Sequence, residues 1–96
     1  MYIISLHYIR PLADIEAHLP AHIAYLERYY AAGVFLLSGR KEPRDGIIIL
    51  RAPDRASVER IISEDPFHQQ QLAEYTITQF LPSKTATALE SLRETA

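Results

Sequence analysis

Residues Met1 to Arg10 alternate as a strand does, with Tyr2, Ile4, Leu6 and Tyr8 on one face and Ile3, Ser5, His7 and Ile9 on the other. Both faces are largely apolar, so this strand is either central in a layered fold or has its second face covered by a partner. Pro11 ends it by removing a ladder donor. From Asp14 the period lengthens, and Ile15, Leu19, Ile23, Leu26 and Tyr30 recur at the spacing of one helix face. Pro20 interrupts that run, which predicts a short irregular turn from Asp14 and a main helix from about Pro20 to Ala32. Gly33 stands where a helix ends in the left-handed conformation.

Two β-rich runs follow, Val34 to Ser38 and Ile47 to Arg51, joined by a segment holding Pro43 and the turn pair Asp45-Gly46. They predict a hairpin. Asp54 is placed to cap a second helix whose apolar positions are Val58, Ile61 and Ile62, and Pro66 closes it. Phe67 to Ala73 is a connector of about one helical turn. Glu74 to Leu81 then alternates, Tyr75, Ile77 and Gln79 against Thr76, Thr78 and Phe80. Beyond Pro82, residues 83–96 predict a peripheral helix or tail, with Thr87 and Glu90 at capping-box spacing.

This order predicts an α+β, ferredoxin-like βαββαβ domain over residues 1–82, a four-stranded antiparallel sheet with two helices on one face. The apolar residues Ile3, Ile9, Phe35, Leu37, Ile47 and Ile49 are too many for a sheet with one wet side, which predicts sheet-to-sheet packing in a homodimer.

Composition narrows the chemistry. At 96 residues, with 48% hydrophobic and 23% charged positions, the chain is one globular domain. It has no cysteine, which excludes disulfides, thiolate metal sites and a cysteine nucleophile. A net charge of −2 leaves no surplus of Lys and Arg for phosphates, so no nucleic-acid partner is expected. The apolar stretches fall short of the roughly 20 residues of a membrane span and no secretory leader is visible, so the expectation is a cytoplasmic protein with no membrane partner. Dinucleotide, P-loop and hydrolase-elbow motifs are all missing.

Among polar residues, His18 and His22 lie four apart, a spacing that fits two metal ligands. The third ligand and the Glu of a zincin motif are missing, so no metal is expected and His18 reads as solvent-facing. His22 is flanked by Leu19, Ile23 and Leu26, read as its inward neighbours, which half-bury an imidazole able to change charge near neutral pH. It is either a titrating functional group or a core histidine satisfied by one hydrogen bond. Asp65 falls at the end of the second helix, poorly placed against the macrodipole; it needs a partner or serves as a turn-former before proline. Ser38, Gly39 and Arg40 end the second strand, with Lys41 and Arg44 following. These cations fit an anionic ligand, but Glu42 and Asp45 interleave and favour a solvated loop. Gly39 is a candidate for close backbone approach or positive φ, Ser38 for a pocket wall, and His7 for the same cavity.

His22-Ile23 with Tyr25-Leu26, Gly33 to Gly39, Asp45 to Leu50, Glu64-Asp65-Pro66-Phe67 and Tyr75 to Pro82, in this order over residues 1–82, resemble the YCII-related (YciI-like) family. The resemblance implies a ferredoxin-like domain of the dimeric α/β barrel superfamily, usually a homodimer, with a pocket histidine and aspartate that match His22 and Asp65. The family's small residues at the end of the second strand match Ser38 and Gly39. The proline that often follows them is replaced here by Arg40. Two functions are then open. One is a small enzyme without a cofactor, of isomerase or lyase type, in which Asp65 orients His22 for proton transfer. The alternative is a non-catalytic homodimeric module that binds a small molecule or uses the pair structurally.

Overall fold

A computed structural model of the chain describes residues 1–95; of the predicted tail, Ala96 lies outside the described residues. The strands are β1 (Tyr2–Tyr8), β2 (Phe35–Arg40), β3 (Gly46–Leu50) and β4 (Ala73–Gln79). They form one antiparallel sheet in the order β2-β3-β1-β4. Each predicted helix is present and adjoins a shorter one: α1 (Leu12–Ala17) precedes the main helix α2 (Leu19–Ala31), and α3 (Arg55–Ser63) is followed by α4 (Pro66–Gln69), where a connector of about one helical turn was expected. The ferredoxin-like α+β fold is as the alternation implied, with β3 and β1, whose side chains are largely apolar, in the interior of the sheet.

Burial follows the strand period. Tyr2, Ile4 and Leu6 of β1 and Ile48 and Leu50 of β3 are buried against Tyr25 of α2, Val58, Ile61 and Ile62 of α3, and Phe67 of α4. The opposite sheet face presents Ile3, Ile47 and Ile49, half-buried, and Leu37, 60% exposed. Phe35, counted among candidates for that second face, instead packs inward at the β2 end beside Tyr25 and Tyr29.

Local rules set the element ends. Asp54 accepts the Ser57 N–H at 2.8 Å and caps α3, and Gly33 adopts φ 75° after α2. Pro20, in the first turn of α2, costs no hydrogen bond there, so helix resumes immediately after the His18 junction. The stretch around Asp14 is therefore a six-residue helix rather than an irregular turn. The inward face of α2 also differs from the reading by period: His22 and Tyr25 are buried, while Leu19, Ile23 and Tyr30 are exposed. The helix turns its aromatic stripe, not its aliphatic one, to the core. In the tail, Thr87 begins a 3₁₀ segment (Thr87–Leu92) as its first residue, after Ala86, so no capping box forms. Arg51 donates to the Ser91 carbonyl and Glu94 N–H to that of Pro82, folding this segment back beside the sheet end.

Leu50 and Thr78 separate the two faces energetically. Leu50→Ala is expected to lower unfolding free energy by about 2–5 kcal/mol, because it empties fully buried volume. Thr78→Ala, on the opposite side of the sheet, empties no core volume and should cost clearly less than Leu50→Ala. Denaturant titration of the two variants checks the assignment of faces.

Candidate active site

Asp65 is the most constrained polar residue in the fold, with 0% exposure. It follows the end of α3, as its position in the chain suggested, but it is also the N-cap of a further short helix. Glu64 ends α3, and Asp65 caps the start of α4, accepting the Phe67 N–H at 2.9 Å on Oδ1. A buried carboxylate is costly unless hydrogen bonds satisfy it. Two further groups do so: His22 Nδ1 stands 2.8 Å from Oδ1 and the Tyr75 hydroxyl 2.6 Å from Oδ2.

The donors determine the tautomer. An ionised carboxylate only accepts, and Phe67 N–H can only donate, so the arrangement is consistent with three donors meeting one anion. With Asp65 ionised, His22 donates from Nδ1, and in the neutral ring the free lone pair is then on Nε2. The ring is held in place by Phe67, stacked on it at 4.0 Å with an interplanar angle of 2°. Tyr25, on the same helix, donates to the Ile61 carbonyl at 2.8 Å and ties α2 to α3. Burial and then the Asp65 charge push the Tyr25 and Tyr75 phenols well above the usual tyrosine range, so both remain donors.

His22 lines a cavity of about 350 Å³ between the α1–α2 junction and the β2–β3 side of the sheet. Aliphatic side chains of Leu6, Leu12, Leu19, Ile23 and Ile48 form much of its wall. Polar functions come from Glu16, His22, Ser38 and Arg40, with Tyr8 at its margin. Leu19 and Ile23, read from the sequence as covering His22 from the core side, instead lie on this open wall.

Ser38, Gly39 and Arg40 line the same cavity as His22, whereas Asp65 lies behind the histidine. Their placement depends on a register shift between Phe35 and Leu37. Strict alternation from the inward Phe35 would turn Ser38 and Arg40 outward. The extra residue of the bulge restores them to the inner face, opposite buried Ile48 and Gly46. Ser38 Oγ lies 2.6 Å from the Tyr30 hydroxyl, and Arg40 reaches Glu42 at 3.3 Å. Gly39 has neither positive φ nor any atom within 4 Å of where a Cβ would stand, so neither reason considered for a glycine there applies.

The remaining candidates fall elsewhere. His7 is on the outer sheet face and meets Asp45 Oδ2 at 3.1 Å, so it does not line the cavity. His18 Nδ1 lies 3.0 Å from the Asp14 carbonyl. The loop cations do not converge: Arg44 turns back to donate to the Arg10 carbonyl and covers the Tyr8 ring at 5.5 Å. Among the described residues no three His, Asp or Glu side chains gather as a metal site. Tyr75 and Phe67 were not singled out by the sequence reading. The alternation of β4 put Tyr75 on a face with Ile77, but only the β1–β4 pairing, Tyr75 opposite Leu6, brings its hydroxyl to Asp65.

The sequence pattern of the YCII-related domain matches residues 1–81, and the chain belongs to that family. The fold is similar to that of 5-chloro-2-hydroxyhydroquinone dehydrochlorinase (TftG) from Burkholderia phenoliruptrix AC1100, solved in complex with 2,5-dihydroxybenzoquinone. The TM-score is 0.72 and the identity 20%, covering 83% of this chain and 93% of that one. No curated protein matches the chain in sequence.

The hairpin beside the cavity is secured by Asp45, which adopts φ 85° and accepts the Tyr8 N–H at 2.8 Å. That bond, with His7 second, holds the Asp45 carboxyl below the usual carboxylate range. A depressed folded-state value means the stabilisation is present above the unfolded value near 4 and is lost as pH falls through the lower folded one. The hydrogen-exchange protection factor of the Tyr8 amide should therefore drop in strong acid, and Asp45→Ala should produce the same loss at neutral pH. Equal protection in the variant would show that the carboxylate does not hold this end of the hairpin.

Proposed function

We propose that the cavity is the active site of a small-molecule enzyme of isomerase or lyase type, in which His22 Nε2 transfers a proton and Asp65 orients the ring. The carrying observation is the wholly buried Asp65 carboxylate bonded to His22 Nδ1 at 2.8 Å, with His22 itself on the cavity wall. Such a pair takes a proton from an acidified carbon or hydroxyl of the substrate onto Nε2, and Asp65 stabilises the resulting imidazolium. Returning that proton at another substrate atom gives isomerisation; passing it on as a leaving group departs gives elimination. Positioned acid-base groups of this kind supply roughly 10²–10⁴ in rate. The similarity to a dehydrochlorinase, whose named activity is an elimination, supports this reaction class, and no cofactor is required for it. Ser38, Gly39 and Arg40, on the opposite wall, are read as the ligand-binding side.

The expected result is that His22→Ala and Asp65→Asn each reduce turnover of small acidic ring compounds by roughly 10²-fold or more, with the far-ultraviolet spectrum retained. Saturable binding of such compounds without any turnover in the wild type would assign the cavity to a binding module instead. Retained turnover in both variants would remove the pair from the chemistry.

We also propose that the chain is a homodimer through the outer sheet face. The half-buried Ile3, Ile47 and Ile49 and the exposed Leu37 make an apolar surface of the kind that seeks a partner. Light scattering should give twice the chain mass for the wild type and the single-chain mass for Leu37→Glu combined with Ile49→Glu. A wild-type monomer would overturn the dimer without bearing on the His22–Asp65 pair.

A further inference from the structure

The bonding of Asp65 is divided unequally between its oxygens. Oδ1 serves both His22 Nδ1–H and Phe67 N–H, while among the described residues Oδ2 is served by the Tyr75 hydroxyl. At 2.6 Å that last bond is in the range of short, charge-assisted O–H···O⁻ contacts. Tyr75 lies on the edge strand β4, remote in sequence from both residues of the pair, and is itself partly buried. Backbone pairing with β1 on either side of it, Thr76 opposite Ser5 and Glu74 opposite His7, fixes where the phenol points from.

We infer that Tyr75 is a positioning residue that keeps His22 in its neutral, proton-accepting form by drawing charge from Asp65. The inference rests on the reading of His22 and Asp65 as a proton-transfer pair. When His22 is neutral, the pair carries one net negative charge; when His22 is protonated, it carries none. A hydroxyl aimed at the carboxylate stabilises the first state more than the second, and so opposes protonation of the ring. Asp65 alone pulls in the other direction, since an unshared carboxylate favours imidazolium. Tyr75 thus offsets part of that pull and favours the free base at Nε2. Burial and the neighbouring carboxylate keep the phenol protonated, so the donor is always present.

Other ionisable groups around the pair are Tyr8 from β1, Tyr25 from α2, Glu16 from α1 and Arg40 from β2 on the cavity side, with Glu64 held by Arg28 and Tyr29. His68 meets the edge of the Tyr75 ring at 5.5 Å. Changing the Tyr75 hydroxyl alone leaves all of these groups in the chain, so a change in His22 reports that bond.

The test is NMR titration of the His22 ring in wild type, Tyr75→Phe and Asp65→Asn, with the Nδ1–H proton shift recorded in each. Tyr75→Phe should move the midpoint of the ring titration to higher pH by about half a unit. It should also move the Nδ1–H signal downfield as charge concentrates on Oδ1. Asp65→Asn should move the midpoint the opposite way. Site-specific 3-fluorotyrosine at position 75, a stronger donor of nearly the same shape, should lower it, and this arm holds if Tyr75→Phe folds poorly. A midpoint unmoved or lowered in Tyr75→Phe, with Asp65→Asn shifting it normally, would overturn the role of Tyr75 and leave the pair intact. An unmoved midpoint in Asp65→Asn would instead remove the pair itself.

Discussion

A carboxylate with no solvent exposure governs much of this small fold. Ionised, Asp65 is tolerable in the interior only because donors surround it, and they arrive from His22 on α2, from the backbone at the start of α4 and from Tyr75 on β4. Each donor belongs to a different element, so satisfying one charge fixes three elements relative to one another. Removing the Tyr75 hydroxyl leaves Oδ2 without a donor among the described residues, and removing His22 leaves Oδ1 with the Phe67 N–H alone, so each loss weakens the satisfaction of a buried charge. Phe67 adds to this by two routes: its amide caps onto Asp65, and its fully buried ring stacks on the imidazole that Asp65 binds.

The breaks in the helical layer give that charge its place. Pro66 disfavours helical geometry at Asp65, so α3 stops and the carboxylate is free to cap the turn that follows. At the other end of the site, the α1–α2 junction lets the chain bend around an aliphatic space instead of filling it, and Leu12, Leu19 and Ile23 line that space with partial exposure. The imidazole sits at the boundary, with Nδ1 in the buried network and the residue on the cavity wall. A histidine at such a boundary can exchange protons with a ligand while the other side of its ring senses a fixed negative charge.

Much of this was legible in the sequence wherever one local rule acted alone. Period-two alternation located the strands, Gly33 and Asp54 marked helix ends, and the order of elements gave the fold. What failed did so where two rules competed. The aliphatic stripe of α2 was the stronger hydrophobic signal, yet the fold buries His22 and Tyr25, because Asp65 and the Ile61 carbonyl need their donors. The inward position of Ser38 and Arg40 depends on one bulge residue, which no alternation pattern announces. Tyr75 was placed on a plausible face, but its partner lies 10 positions back in the chain, beyond a helix and a turn, and meeting it depends on strand register that only the folded chain contains.

The two walls of the cavity differ in how firmly the fold commits to them. The His22 wall is anchored through a network whose members are buried and mutually dependent, so substitutions there disturb the charge balance of Asp65. The facing wall comes from an edge strand, where Ser38, Gly39 and Arg40 are exposed and Arg40 pairs with the exposed Glu42 of the loop that follows. Exposed ion pairs of that kind contribute little to stability and release easily. A side chain there can change without cost to the core, and this chain has a cation at the position where the family resemblance expects proline. The proposed proton-transfer pair and the proposed ligand-binding residues therefore sit on separate parts of the fold: one fixed by a buried charge, the other free to vary at the sheet edge.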